Sequence, residues 1–156
     1  DGMSNRIEKN NVAKSTPFDN TSNGFSSSDV QGAIEEIGAS ASPGFSFSRS
    51  GTSNAGTYLQ VDAVPSNQAG RIVPLNTGFV TDVFISCQTA STFTIEFQKR
   101  VGNTFTTFLT VTVTSARKLT QSLSSVPVAL NDEICARIGT GSVSNVVVGL
   151  IIRGGT

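Results

Sequence analysis

From residue 45 onward, apolar side chains recur at every second position, the period at which an extended strand puts them all on one face. In residues 92–101, Phe93, Ile95 and Phe97 alternate with Thr94, Glu96 and Gln98. In residues 79–87, Phe79, Thr81, Val83, Ile85 and Cys87 alternate with Val80, Asp82, Phe84 and Ser86. Residues 104–114 carry Phe105, Leu109, Val111 and Val113 against Thr106, Thr110 and Thr112, and Gly102-Asn103 between these runs is a tight hairpin turn. Phe45 and Phe47 alternate with Ser46 and Ser48. Shorter runs are expected at 57–64, ended by Pro65, and at 71–75, where Pro74 suits an edge. Others are expected at 118–123, 126–130 and 133–138. Residues 146–152 are apolar on both faces, so that strand is expected to be covered on both sides. Loops are expected at 50–56, 65–70 and 139–145. About eight to ten short strands at roughly 8–12-residue spacing imply an antiparallel β-sandwich of jelly-roll type. The head domain is placed at 45–156.

Composition narrows the function classes. With 14% charged residues, 37% hydrophobic residues and 15 Gly, the chain suits a turn-rich β domain better than a disordered segment. Eleven basic and eleven acidic residues cancel, and no basic run exceeds two residues. A nucleic-acid groove needs clustered Lys and Arg, so nucleic acid is not an expected partner. No apolar run approaches the ~20 residues that span a bilayer, no signal-peptide pattern opens the chain, and no membrane insertion is expected. Asp1-Gly2 is read as a remnant ahead of Met3, the natural start. Cys87 and Cys135 lie on opposite strand parities and are expected to be free thiols.

The chain has no His. Ser-His-Asp and Cys-His catalysis are therefore excluded as written, and a zinc site would lack two of its four ligands. Glu35 and Glu36 read as solvated neighbours on a helix. Asp62, Asp82, Glu96 and Asp132 read as strand-face or turn residues rather than a carboxylate pair across a cleft. Residues 51–56 lack the Lys of a phosphate loop. No enzymatic activity, metal or cofactor is expected.

The N-terminal part is different in kind. Residues 1–16 are polar and Asn-rich, with weak patterning; they read as a disordered terminus in an isolated chain and, inside an assembly, as an anchoring segment that becomes ordered on a partner. Residues 17–38 read as a turn and a short helix. Asp19, Asn20, Asn23 and Gly24 are turn formers, a serine at 26–28 caps the helix, and Asp29 suits its positive end. Val30, Ala33, Ile34 and Ile37 fall on one helical face, and Gly38 stops it. Gly32 weakens the helix by about 1 kcal/mol against Ala. A helix of about three turns is marginal alone, so its apolar stripe needs cover from its own chain or from sister copies. Residues 39–44 are a small-residue linker ending in Pro-Gly.

Phe18, Asp19, Asn20, Gly24 and Phe25, followed by Val30, Gln31, Ala33, Ile34 and Glu35, resemble a segment recurrent in bacteriophage tail-fibre and head-fibre proteins. There an aromatic-Asp-Asn turn and a Val-Gln-x-Ala-Ile helix precede the distal domain, and the helix sits near a threefold axis. The resemblance implies a homotrimer, with Val30, Ala33, Ile34 and Ile37 at the subunit interface and Phe18 to Phe25 as the anchor turn. Residues 128–138 also resemble the C-terminal part of trimeric jelly rolls of the C1q/tumour-necrosis-factor type, with Asn131 in place of a glycine. A non-enzymatic virion protein is expected from these resemblances. It would be a head fibre or capsid decoration, assembled in the host cytoplasm and anchored by its N-terminus to capsid or tail proteins. The alternative is a tail-fibre module that adheres to host surface glycans. One Tyr and no Trp leave few flat aromatic platforms for sugars. Phe84 and Phe108, off the main core stripe, are expected at contacts between subunits.

Overall fold

The computed structural model describes residues 17, 28–31, 44–73 and 78–154, with the backbone alone at 125. Contacts divide the chain into compact units between Ala41 and Ser42. In the first unit Pro17 bridges Asp29, and Val30 and Gln31 are helical and half-buried. The other residues named for the turn and helix (Phe18, Asp19, Asn20, Gly24, Phe25, Ala33, Ile34 and Ile37) lie outside the described residues, as does the segment 1–16.

The second unit is antiparallel β throughout its named elements. They are β1 (Gly44–Asn54), β2 (Gln60–Val61), β3 (Val64–Pro65), β4 (Arg71–Ile72), β5 (Gly78–Val101), β6 (Thr104–Val128) and β7 (Glu133–Gly154). They form one sheet in the order β3-β2-β1-β7-β5-β6, with β4 also on β7. The expected short strands at 79–87 and 92–101 are one strand of 24 residues, and those expected from 104 onward belong to one of 25 that ends at Val128. Residues 139–145, expected as a loop, lie inside β7, and 51–54 lie inside β1.

The long strands are not straight. Phe47 pairs with Val148, and Phe97 pairs with Ala136, twelve residues earlier on β7. Along a straight strand those positions would lie about 40 Å apart. Yet the Phe47 and Phe97 rings are 6.3 Å apart, centroid to centroid. Each long strand therefore doubles back, and its two halves face each other across one core.

The bend has a cause in the backbone. Register slips between Ser86 and Phe93 on β5, and between Arg49 and Thr52 on β1. Positive φ falls at the same level, at Gly51 (74°), Ser115 (48°), Gly141 (77°) and Asn145 (49°). Such irregularities unpair one residue and turn the strand. Gly141 cannot be replaced freely, because an added Cβ would run into the Thr92 carbonyl. The bend separates a first layer (44–49, 146–152, 78–86 and 118–126, in spatial order) from a second (52–59, 133–143, 93–101 and 104–113).

Between the layers lie Phe47, Val83, Ile85, Phe93, Ile95, Phe97, Val111, Val113, Ile138, Val146, Val148 and Leu150, each at most 2% exposed. These are the period-two positions. At about 25 cal/mol per Å2 of apolar surface, their burial is the main favourable term. Cys87 and Cys135 are both buried and free. The Cys135 thiol donates to the Ser66 carbonyl at 3.0 Å, and burial pushes its pKa up to about 11.

Candidate functional site

With the core between the layers, each layer turns its other face outward, and the two outer faces differ in chemistry. The first-layer face is read from register. Ser46, Gly149, Phe84 and Thr120 form one row across the strands. Ser48, Val147, Ser86 and Lys118 form the next. Gly44, Ile151, Asp82 and Ser122 form the row on the other side. Phe84 is 38% and Val147 43% exposed. The Phe84 ring lies directly over Gly149, where any Cβ would collide with it. Phe84 and Val147 are diagonal neighbours, and such pairs are within reach of an aromatic ring. The rest of the face is mainly glycine and hydroxyl residues. Its one acid, Asp82, is held below the usual carboxylate range by hydrogen bonds from Ser122 (2.8 Å) and Thr81 (2.9 Å).

Residues 146–152 are read from sequence as covered on both sides; among the described residues the outward side is only partly covered. Val146, Val148, Leu150 and Ile152 are fully buried, whereas Val147 points outward and Ile151 is half-buried beside it. The strand alternates apolar residues inward and apolar residues outward.

At the rim of this face is a hollow of about 250 Å3 lined by Ser48, Arg49, Ser50, Asn145, Val146 and Val147. Two of its polar side chains, those of Arg49 and Asn145, have partners within the chain. Arg49 donates to the Tyr58 carbonyl at 3.2 Å. Asn145 accepts from the Gly51 N–H at 2.6 Å and donates to Gln88 at 2.5 Å.

The second-layer face is polar and closed on itself. Thr94 and Thr140 hydroxyls are 3.0 Å apart. Arg137 donates to Glu96 at 2.6 Å. Tyr58 donates to the Gln98 carbonyl oxygen at 2.7 Å, and the Gln98 amide donates to Thr107 at 3.1 Å. The Tyr58 ring leans on Phe105, centroids 5.7 Å apart. Gln98 is only 3% exposed, so its amide depends on partners such as these rather than on water.

The two layers end at the turns between β5 and β6 and between β6 and β7. Asn131 there takes φ 65°. Asp132 accepts from the Ala129 N–H at 2.8 Å and from Lys99 at 2.7 Å. Burial raises the Asp132 pKa, and these two donors outweigh it, so the carboxyl is held below its ordinary value. Lys99 also lies 5.5 Å from the Phe108 ring, which is half-buried against the core and not on an open face. A second hollow of about 290 Å3, between Arg100 and Glu133, is lined by both members of that 3.6 Å ion pair.

The carboxylates singled out in the sequence therefore have structural partners: Asp62 with Arg71, Asp82 with Ser122, Glu96 with Arg137, and Asp132 with Lys99. Among the described residues, no three His, Cys, Asp or Glu side chains are grouped to hold a metal. No helix among them is long and apolar enough to cross a membrane. Sequence reading named Phe84 as off the core stripe but missed Val147 and the Gly149 floor. Their signal was present: an apolar run at period one means that the outward positions are apolar too. No family model matches the chain, and no curated protein matches it significantly.

Proposed function

We propose that this chain is a non-enzymatic structural protein of a bacteriophage particle. It assembles as a homotrimer, and the domain from Gly44 onward projects as a head fibre or capsid decoration. The observation that carries the reading is the 146–152 run of β7, apolar on both sides and, among the described residues, covered fully on only one. Exposed apolar patches of this kind mark association surfaces, and copies of the same chain are its simplest cover. The chain enters β1 at Gly44, beside Ile151 and Asp82 on this face. In this reading Val30, Ala33, Ile34 and Ile37 gather the three N-terminal segments. Residues 1–16 then dock on the capsid or tail.

The strand layout supports a jelly-roll reading of the head. Cut at their bends, β1, β5, β6 and β7 give eight segments, four in each layer, and successive segments alternate between layers except at the 102–103 hairpin. The short N-terminal helix near the threefold axis completes the model.

Particles assembled with a chain lacking residues 3–16 test the anchoring. The reading predicts loss of the protein from the particle while the released chain stays trimeric. Full occupancy without those residues contradicts it. A second reading, adhesion to host surface glycans, draws on the Tyr58–Phe105 pair beside Gln98 on the polar face. Binding of the purified chain on a glycan array, abolished by Tyr58→Ala, would favour it.

A further inference from the structure

We infer that β6 is a pairing edge for a second copy of this chain, through an antiparallel, twofold contact centred on Thr112. β6 is the last strand of the sheet, and its halves are the outermost segments of both layers. Among the described residues no strand pairs beyond it. Such an edge presents a row of backbone N–H and C=O groups, and proteins ordinarily guard it with charge, proline or very short strands. The guards are unevenly placed. At the opposite end of the sheet β2 and β3 have two residues each, and β3 ends in Pro65. The first-layer half of β6 carries Arg117, Lys118 and Pro127. The second-layer half carries no guard: residues 104–114 read Thr-Phe-Thr-Thr-Phe-Leu-Thr-Val-Thr-Val-Thr, without charge, proline or glycine. An uncharged edge of strong strand formers takes another strand as its partner.

The sequence of the edge selects whose strand. Thr110-Val-Thr-Val-Thr114 reads the same in both directions about Thr112. A twofold contact sets residue i against j and j against i. Antiparallel pairing about Thr112 therefore sets Thr110 against Thr114, Val111 against Val113, and Thr112 against its own counterpart. Val111 and Val113 are each 1% exposed, whereas the three threonines are exposed. This register keeps the two sides apart: the valine row of one core runs on into the next, and threonines meet threonines outside. Thr–Thr and β-branched pairs across strands are favourable, and no like charges face each other.

The contact uses five residues a side, against about 20–30 in a stable interface. It is therefore weak between free molecules and strengthens where copies are held side by side, as on a particle. A like-to-like contact cannot close a ring of three. The edge contact is thus separate from the one that makes the trimer, does not depend on it, and joins one trimer to the next.

Single-cysteine variants of the full chain test the register. Two residues directly opposite in an antiparallel pair have Cα atoms about 5 Å apart, within the span of a disulfide. The two copies of residue 110 would lie about 14 Å apart, four positions out of step. Cys87 and Cys135 are buried and free, so they do not compete. Mild oxidation of concentrated protein is expected to give Thr112→Cys a two-chain band on a denaturing, non-reducing gel, on the order of ten times faster than Thr110→Cys. Sedimentation equilibrium supplies a second readout. Wild-type mass should rise above three chains as concentration increases, and Thr112→Lys, which adds the missing guard at an exposed position, should hold it at three.

Equal cross-linking rates at the two positions overturn the edge contact and leave the trimer untouched. So does a concentration-dependent mass that Thr112→Lys leaves unchanged. Wild type that passes from one chain to two, with the Thr112→Cys cross-link formed, keeps this contact and removes the trimer.

Discussion

The two outer faces are built on the same four strands, bent once, yet they solve exposure in opposite ways. On the second-layer face the central polar groups are answered by neighbours: Thr94–Thr140, Glu96–Arg137 and Tyr58–Gln98–Thr107. Such a face is complete in one copy. On the first-layer face the outward side chains of β7 are Val147, Gly149 and Ile151, with Phe84 laid across them. Phe84 and Val147 stay 38% and 43% exposed there, and neither gains a hydrogen bond from water. The lesson is that strand alternation by itself does not say which side is solvent. The side is settled by whether the outward residues satisfy one another, and a face that leaves them unsatisfied is a surface for association.

The comparison breaks most easily at Val147. Val147→Asp places a charge on the apolar face without touching the core. Light scattering should then read one chain instead of three, while the thermal transition of the separated domain persists. An unchanged mass would mean that the face is not the contact. Gln98→Leu probes the other face. It removes the acceptor of the Tyr58 hydroxyl, a loss of about 1 kcal/mol in urea unfolding, with the chain count unaffected. A change in association there would show that the faces had been assigned the wrong roles.

Smaller effects sharpen the contrast. Asp132 has a folded pKa below its unfolded one, so its contribution is complete above the ordinary carboxylate value near 4 and fades as pH falls through the folded value. Asp132→Asn should remove about 1 kcal/mol at neutral pH and flatten stability against pH below about 4. A curve as steep as wild type would reassign the acid sensitivity to other carboxylates. Arg137→Met, at a part-exposed pair, should cost less than about 1 kcal/mol and leave association unchanged.

Much of this architecture was legible in the residues. Phe93, Ile95 and Phe97 point inward as their alternation demands, and Asn131 adopts the left-handed turn conformation its amide tolerates. The breaks were legible as well, but not their nature. Gly51, Gly141 and Asn145 punctuate the pattern at the right places. Sequence cannot distinguish a loop between two strands from a bend within one, because both need positive φ and lost pairing. Long-range register makes the difference, and it is written in pairs such as Phe47–Val148 and Phe97–Ala136, far apart in sequence. The outward face was half legible. Phe84 stood out as misplaced, whereas Val147 hid in a run that looked wholly internal.

The most direct test is the absolute mass of the purified full-length chain by multi-angle light scattering. Three times the 16.2 kDa of one chain is the predicted result. A species of 16.2 kDa across the concentration range would contradict it.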